Sequence, residues 1–233
     1  INVADACAKS NVKMMVQIST DKAINPTSIM GATKRAAEMY CQALDLASDG
    51  KRCRYVTVRF GNVLGSTGSV VPLFQRQLEN GGPLTVTHPD MTRYFMTIRE
   101  AVELVLESSV VGVEGDQTAG RIFVLDMGEP IKIVDLAKQM IRLSGKEPDR
   151  DIAIQFTGTR PGEKLFEEVF HDGETTVETS HDSLLLAAPR VVAIKVLNRQ
   201  LAPLLKAAVA GDDANVRCLI KDVIPEYSNE GGN

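Results

Sequence analysis

Residues 20–22 read Thr-Asp-Lys, a hydroxyl, a carboxyl and an amine in succession. Such a trio could hold an alcohol, exchange a proton with it and, once the amine is uncharged, take a second proton. The competing reading is a surface Asp–Lys pair in a solvated loop, the usual fate of such a dipeptide. Met30 and Lys34 are four positions apart, which on a helix points them the same way. Taken alone, Lys34 reads equally well as an exposed helix lysine. The loop Gly61-Asn62-Val63-Leu64-Gly65-Ser66-Thr67-Gly68 is glycine-rich, but it lacks the GxGxxG spacing of a dinucleotide fingerprint. A helix starting near Val70 offers N–H groups to a diphosphate, while Gly61, Gly65 and Gly68 read equally as turn glycines. In RPGEK, Arg160 suits a phosphate and Glu163 suits hydroxyls, with a capped helix start at Pro161 as the alternative.

These residues need elements to hold them. MMVQI at 14–18 is a short apolar run suited to a buried strand, and the loop 19–29 after it is rich in Ser, Thr, Asp, Asn and Pro. A helix is expected from about Met30 to Leu46, with Ala37, Tyr40, Cys41 and Leu44 on its packed side. RYVTVRF at 54–60 is the next strand, and 70–79 a helix stopped by Gly81-Gly82. Short strands are expected near 84–87 and 94–97, further strands at 121–125 and 152–156, and helices near 99–111 and 131–143. One or two strands fall within 175–195, and helices near 197–210 and 213–223 follow. At the start, Val3, Ala6 and Cys7 share a helical face that Asn11 stops. The chain lacks an initiator Met and opens in what reads as the last turns of a helix, so a missing upstream part is expected. Strand–helix alternation with short connections predicts an α/β fold on a mostly parallel sheet. Chemistry in such sheets gathers at the carboxyl ends of the strands, where loops 19–29 and 60–69 sit.

The 233 residues suffice for one substantial core, or one core with a small lobe. A net charge of -4 gives no electrostatic case for nucleic acid or an anionic membrane surface. Cys7, Cys41, Cys53 and Cys218 form no CxxC pair, and His88, His171 and His181 lack metal-ligand spacing. That argues against a metal site or disulfide framework and fits a reducing cytoplasm. No apolar run reaches the roughly 20 residues of a membrane span, and INVADACAKSNVK has no signal-peptide pattern.

Three stretches in order, STDKAINPTSIMGATKRAAE, VRFGNVLGSTGSVVPLF and RPGEKLFEE, resemble extended short-chain dehydrogenases/reductases. More narrowly, they resemble the nucleotide-sugar 4,6-dehydratases of bacterial polysaccharide biosynthesis, and the likeness covers nearly the whole chain. It implies the C-terminal part of a Rossmann-like doubly wound parallel sheet with a small α/β substrate-binding lobe, the N-terminal strands and GxGxxG being absent. The division implied is 1–82 for the C-terminal half of the NAD-binding domain with the active-site loop. Residues 83–233 are then mainly the nucleotide-sugar-binding lobe and C-terminal helices, with 121–145 returning to the sheet. Family members usually carry Tyr where Met30 stands. A long, membrane-anchored subgroup resembles this chain in having Met there, which moves the proton work onto Asp21 and Lys22.

The reaction so implied oxidises carbon 4 of a UDP-N-acetylhexosamine, with UDP-N-acetylglucosamine expected, and eliminates water across carbons 5 and 6 to a 4-keto-6-deoxy sugar. NAD, as NAD+ or NADP+, is the implied redox cofactor. By the resemblance, Thr20 hydrogen-bonds the 4-oxygen, and Asp21 takes the 4-hydroxyl proton and delivers it to the departing 6-hydroxyl. Lys22 takes the carbon 5 proton as a neutral amine, a form favoured by desolvation and by the Lys34 cation. Lys34 and Phe60 bind the cofactor, Met30 packs beside the site, and Asn62, Ser69, Arg93, Arg160 and Glu163 hold the UDP-sugar. The expected partners are a UDP-sugar and a homo-oligomer of the full-length protein, with no nucleic acid. The parent protein is expected to be anchored in the inner membrane by upstream segments, with this part facing the cytoplasm. Two other readings compete. A 4-epimerase or 4-reductase does not need the Asp-Lys pair, so Asp21-Lys22 favours elimination; a non-catalytic UDP-sugar-binding fragment is the third.

Overall fold

A computed structural model describes residues 1–10, 12–48, 53–66, 68–114, 118–170, 175–179, 181 and 183–228. Asn11, expected to stop the first helix, lies outside the described residues, as do Thr67 and His171. In chain order the elements are α1 (Asn2–Lys9), β1 (Met14–Ile18), a 3-10 turn (Asp21–Ala23), α2 (Ile29–Ala47), β2 (Arg54–Arg59), β3 (Asn62–Val63) and α3 (Val70–Glu79). Then come β4 (Leu84–Val86), β5 (Thr92–Arg93), β6 (Phe95–Met96), α4 (Ile98–Glu114), β7 (Ile122–Leu125), β8 (Ile131–Lys132), α5 (Ile133–Leu143) and β9 (Ile154–Phe156). The last third adds β10 (Thr175–Glu178), β11 (Leu184–Ala188), α6 (Ile194–Ala210) and α7 (Asp213–Val223). Two units result. One comprises Ile1–Phe60, Glu103–Asp126 and Glu168–Glu230; the other comprises Gly61–Val102 and Met127–Glu167.

The first unit is built on a five-stranded sheet in the order β1-β2-β7-β11-β10. β1 and β2 run parallel with Met14 beside Arg54 and Ile18 beside Val58, and β7 continues the parallel set with Ile122 beside Thr57. From Tyr55 to Arg59 every residue of β2 is buried, and so is all of β7, as expected of parallel strands covered on both faces. The region 175–195 resolves as an antiparallel pair, β10 with β11, and β11 joins β7 antiparallel. The sheet is therefore the doubly wound α/β type expected, with an antiparallel extension. Gly112 of α4 lies against Val56 of β2, where a Cβ would come 2.5 Å from the valine methyl.

α2 is covered twice, by the sheet and by α6 and α7. Its Ala32, Met39, Tyr40, Cys41 and Ala43 share one core with Tyr55, Leu197, Leu201, Ile220, Val223, Ile224 and Tyr227. This shifts the packed side from the expected one, since Ala37 and Leu44 are only half-buried. Truncating Met39, 1% exposed, to Ala would cost about 2–5 kcal/mol. The far end of α2 is anchored by Asp45, whose Oδ1 accepts from Tyr55 N at 2.8 Å and Arg54 Nε at 2.9 Å, and whose Oδ2 accepts from Gly120 N at 3.0 Å. α1 also differs from expectation. It buries Ala4, not Val3 or Ala6, because Tyr55 Oη donates to the Ala4 carbonyl at 2.8 Å and draws that face inward.

The second unit holds three two-stranded pairs: β3 with β6 and β4 with β9 parallel, and β5 with β8 antiparallel. Its core gathers Phe74, Leu84, Val86, Met91, Ile133, Ala137, Ile141 and Ile152. Ile133, Ala137 and Ile141 recur at helical spacing on the inner face of α5. Phe74 of α3 is fully buried in this core, so residues 61–82 group with 83–102 and not with the sheet. Residues 168–230 likewise group with the sheet, because β11 pairs with β7 and α6 and α7 cover α2. The contacts thus group the chain differently from a division at residue 82. Among the described residues, no helix is long and apolar enough to cross a membrane.

Candidate active site

The expected site residues fall into two groups, one in each unit. In the first unit, parallel pairing runs past the end of β1: Ser19 N donates to Val58 O at 2.7 Å and Asp21 N to Phe60 O at 3.3 Å. Thr20 stays extended, with φ -149°, and caps the 3-10 turn by accepting from Lys22 N at 3.4 Å. Its Oγ1 donates to Asp21 Oδ1 at 2.8 Å, and Lys22 Nζ donates to the same oxygen at 3.0 Å. Asp21 is 5% exposed while the Lys22 side chain is 31% exposed. The surface-pair reading therefore fails for the carboxyl: a buried acid stands at the end of a parallel strand with a hydroxyl and an amine on one of its oxygens.

α2 begins immediately after this loop. Ser28 caps it, its Oγ accepting from Gly31 N at 3.1 Å. Lys34 Nζ reaches back to donate to Ile18 O at 3.3 Å, at the carboxyl end of β1. Thr20, Asp21, Lys22, Lys34 and the Phe60 carbonyl thus all lie by the carboxyl ends of β1 and β2. Met30 does not pack as expected. It is 49% exposed, because the first turn of α2 turns Gly31 and Ala32 inward and leaves position 30 facing out.

Sequence reasoning missed the layer beneath. Glu38, one turn after Lys34, is completely buried between two arginines. Arg59 Nε and Nη2 donate to its Oε1 and Oε2, each at 2.8 Å, and Arg35 Nη1 donates to Oε2 at 3.2 Å. Burial pushes the Glu38 carboxyl up, but Arg59 and Arg35 outweigh it and hold the group below its ordinary value. The available signal was a charged pair, Arg35 and Glu38, on a helix with little solvent-facing surface. Gly31 was missed too. A Cβ there would overlap the Lys22 carbonyl oxygen, so only glycine allows α2 to lie this close to the loop.

In the second unit, Asn62 and Arg93 meet at a residue not anticipated, Glu167, and Arg93 also approaches Glu163. Asn62 Nδ2 donates to Glu167 Oε2 and to Tyr94 O, both at 3.1 Å. Arg93 lies 3.1 Å from Glu167 Oε1 through Nε and 3.5 Å from Glu163 Oε1 through Nη2. Its Nη1 also donates to Thr92 O at 2.7 Å and Leu165 O at 3.3 Å. Among the described residues Ser69 makes no side-chain hydrogen bond to this cluster, whereas Arg160 reaches it through Glu163. Ser69 is the N-cap of α3 without a side-chain capping bond, and its Oγ is buried. Arg160 is exposed. Arg160 N donates to Glu163 Oε2 at 3.0 Å and Glu163 N to Arg160 O at 2.9 Å. That closes a turn through Gly162 at φ 76°, so the alternative of a helix start at Pro161 is not what the chain adopts. No cluster of His, Cys, Asp and Glu fit for a metal occurs among the described residues.

A parallel sheet crossed by helices, with Thr20, Asp21 and Lys22 just past the carboxyl end of β1, is the arrangement of an α/β protein of the extended short-chain dehydrogenase/reductase type. Residues 1–189 match the family described as Polysaccharide biosynthesis protein, and the chain belongs to it. It is 57% identical over 173 residues to the capsular polysaccharide biosynthesis protein CapD of Staphylococcus aureus, covering 74% of this chain and 28% of CapD. It is 38% identical over 170 residues to a UDP-glucose 4-epimerase of Rickettsia typhi, covering 72% of this chain and 46% of that protein. It is 32% identical over 191 residues to the UDP-N-acetylglucosamine 4,6-dehydratase (inverting) of Campylobacter jejuni, covering 82% of this chain and 53% of that one. Among solved structures it resembles Pen from Bacillus thuringiensis, with TM-score 0.71 and 34% identity over 82% of this chain and 56% of Pen. The chain therefore spans about a quarter to half the length of these relatives.

Proposed function

We propose that this chain carries the proton-transfer site of an NAD-dependent nucleotide-sugar 4,6-dehydratase. Its substrate would be UDP-N-acetylglucosamine and its product the 4-keto-6-deoxy sugar, made for polysaccharide biosynthesis. The observation that carries this reading is the single buried Asp21 oxygen receiving both Thr20 Oγ1 and Lys22 Nζ. The likeness to CapD and to the Campylobacter jejuni dehydratase supports it.

The proton count assigns the roles. Asp21 starts as a carboxylate, takes the 4-hydroxyl proton, and returns that proton to the 6-hydroxyl as it leaves as water. Lys22, as the neutral amine, takes the carbon 5 proton and gives it back to carbon 5 at the end. The resting contact between Lys22 and Asp21 joins a cation and an anion, so one proton must leave the pair before elimination. Lys22 Nζ, 3.0 Å from Asp21 Oδ1 and partly exposed, gives that proton a path to solvent. Thr20 Oγ1 positions the 4-oxygen. Bound nicotinamide would supply the reversible oxidation at carbon 4 that acidifies the carbon 5 proton.

The residues present fit one end of a dinucleotide. Lys34 Nζ stands beside a strand-end carbonyl, where an ammonium can reach ribose hydroxyls, and Phe60 directly follows the adjacent strand. The chain holds no GxGxxG for the pyrophosphate. For the UDP-sugar we assign Asn62 and Arg93, which Glu167 gathers, together with Glu163, Ser69 and Arg160.

A 4-epimerase is the second reading, favoured by the 38% identity to the Rickettsia typhi enzyme. A 4-epimerase removes no proton from carbon 5, so it leaves Lys22 without a role. In the full-length protein with NAD, Asp21→Asn and Lys22→Ala should each abolish formation of a 4-keto-6-deoxy sugar. Near-wild-type turnover by either variant would remove the dehydratase assignment.

A further inference from the structure

Residues 190–228 lie outside the stretch matched by the family, yet they reach the loop that carries Asp21. α6 and α7 cover α2, and the chain then turns back on itself, with Tyr227 N donating to Ile224 O at 3.0 Å. Ile224 and Tyr227 are buried, at 0% and 4% exposure, which fixes the segment between them. Within that turn, Glu226 Oε1 accepts from Arg35 Nε at 3.0 Å. Two residues on, Ser228 N donates to Pro26 O at 3.1 Å. The same short segment therefore grips the loop before α2, at Pro26, and the helix itself, at Arg35.

Between these two grips lie the Ser28 cap and Gly31, whose Cα side faces the Lys22 carbonyl and lies near Pro26. Arg35 also donates to Glu38, and its side chain is 4% exposed. Without Glu226, the Arg35 Nε–H would lose its carboxylate in a place with little access to water. A shielded ion pair adds little stability over an apolar contact of the same shape, whereas its directional bonds fix geometry. Arg35 follows Lys34 directly, so displacement at Arg35 moves the lysine and, through Gly31, the turn at Lys22.

We propose that Glu226 is a positioning residue, the working contact of a C-terminal clamp that sets the loop of residues 20–28 and the first turns of α2 in register. Its catalytic readout rests on the dehydratase reading above. The test uses the full-length protein with NAD and UDP-N-acetylglucosamine. Glu226→Ala should lower kcat about tenfold with KM for the UDP-sugar changed less than about twofold, a split expected when the reacting geometry is lost but binding is not. Glu226→Gln keeps an acceptor for Arg35 Nε and should recover most of the rate. Hydrogen exchange supplies a readout independent of turnover: in Glu226→Ala the amides of Asp21, Ala23 and Ile24 should exchange about tenfold faster. Either kcat within about twofold of wild type or unchanged exchange at those amides overturns the proposal. Asp21→Asn, run alongside, separates the two claims. If it keeps turnover, the dehydratase reading fails and exchange alone decides the clamp.

Discussion

Gly31, in the first turn of α2, sits so close to Lys22 that a Cβ on it would occupy the place of the Lys22 carbonyl oxygen. At this point the helix and the acidic loop meet backbone to backbone. Two effects oppose each other in Gly31→Ala. Alanine is favoured over glycine inside a helix by about 1 kcal/mol, whereas forcing a methyl into filled space costs about 1–3 kcal/mol. The overlap is with backbone, which cannot swing aside, so the steric term wins. We expect turnover reduced at least about tenfold with no gain in melting temperature; a stabilised, fully active variant would contradict the contact.

Lys34 and Met30 share a direction on α2 but differ in what they touch. Lys34 Nζ bonds the Ile18 carbonyl, while Met30 is half in solvent. Lys34→Ala is therefore expected to reduce NAD affinity and turnover by at least about tenfold, and Met30→Ala to change either less than about twofold. Titration of cofactor into each variant of the full-length protein checks this. The reverse order would place Met30 inside the cofactor contact.

Glu38 makes stability depend on pH in a defined direction. Its carboxyl is held below its ordinary value of 4.5, so the folded state binds that proton less readily than the unfolded chain. The stabilisation is complete above the unfolded value and is lost as pH falls through the folded one. Glu226, also lowered against the upward push of its burial, acts in the same sense. Glu38→Gln leaves two buried arginines short of an anion and is expected to cost about 3–5 kcal/mol at pH 7. Its melting temperature should then fall less than that of wild type between pH 7 and pH 4. Parallel curves would mean that Glu38 does not govern acid lability.

Glu167 holds Asn62 and Arg93 from one buried carboxyl. Its removal should loosen both. In Glu167→Ala we expect KM for the UDP-sugar to rise about tenfold with kcat changed less than about threefold. UDP binding by calorimetry should weaken in parallel. Unchanged UDP affinity would assign Glu167 to the fold of the second unit alone.

Much of this was legible in the sequence where the signal is local. MMVQI is a strand at the expected positions, though half-buried where a buried one was expected, 70–79 is a helix ended before Gly81-Gly82, and 213–223 is one capped by Asp212. Thr20, Asp21 and Lys22 lie in the loop leaving parallel strand β1, where chemistry gathers in such sheets, and Lys34 reaches the end of that strand from α2. What escaped was set by distant partners. Arg35 and Glu226 meet across 191 positions, and Asn62 and Glu167 across 105, with no periodicity linking them. RPGEK carries the letters of a helix start, yet a reciprocal Arg160–Glu163 backbone turn through Gly162 takes its place. Met30 was read as packing because it is apolar, but nearby backbone had already filled the inner face of the turn with Gly31 and Ala32.

Asp21 is assigned the proton that passes from the 4-hydroxyl to the departing 6-hydroxyl, and Lys22 the proton on carbon 5 of the same sugar. Incubating the full-length protein with NAD and UDP-N-acetylglucosamine in D2O, and reading the product by NMR, tests this assignment directly. The account predicts a 4-keto-6-deoxy sugar with deuterium at carbon 5, and none in Lys22→Ala. A product inverted at carbon 4 that keeps its original hydrogen at carbon 5 would contradict it.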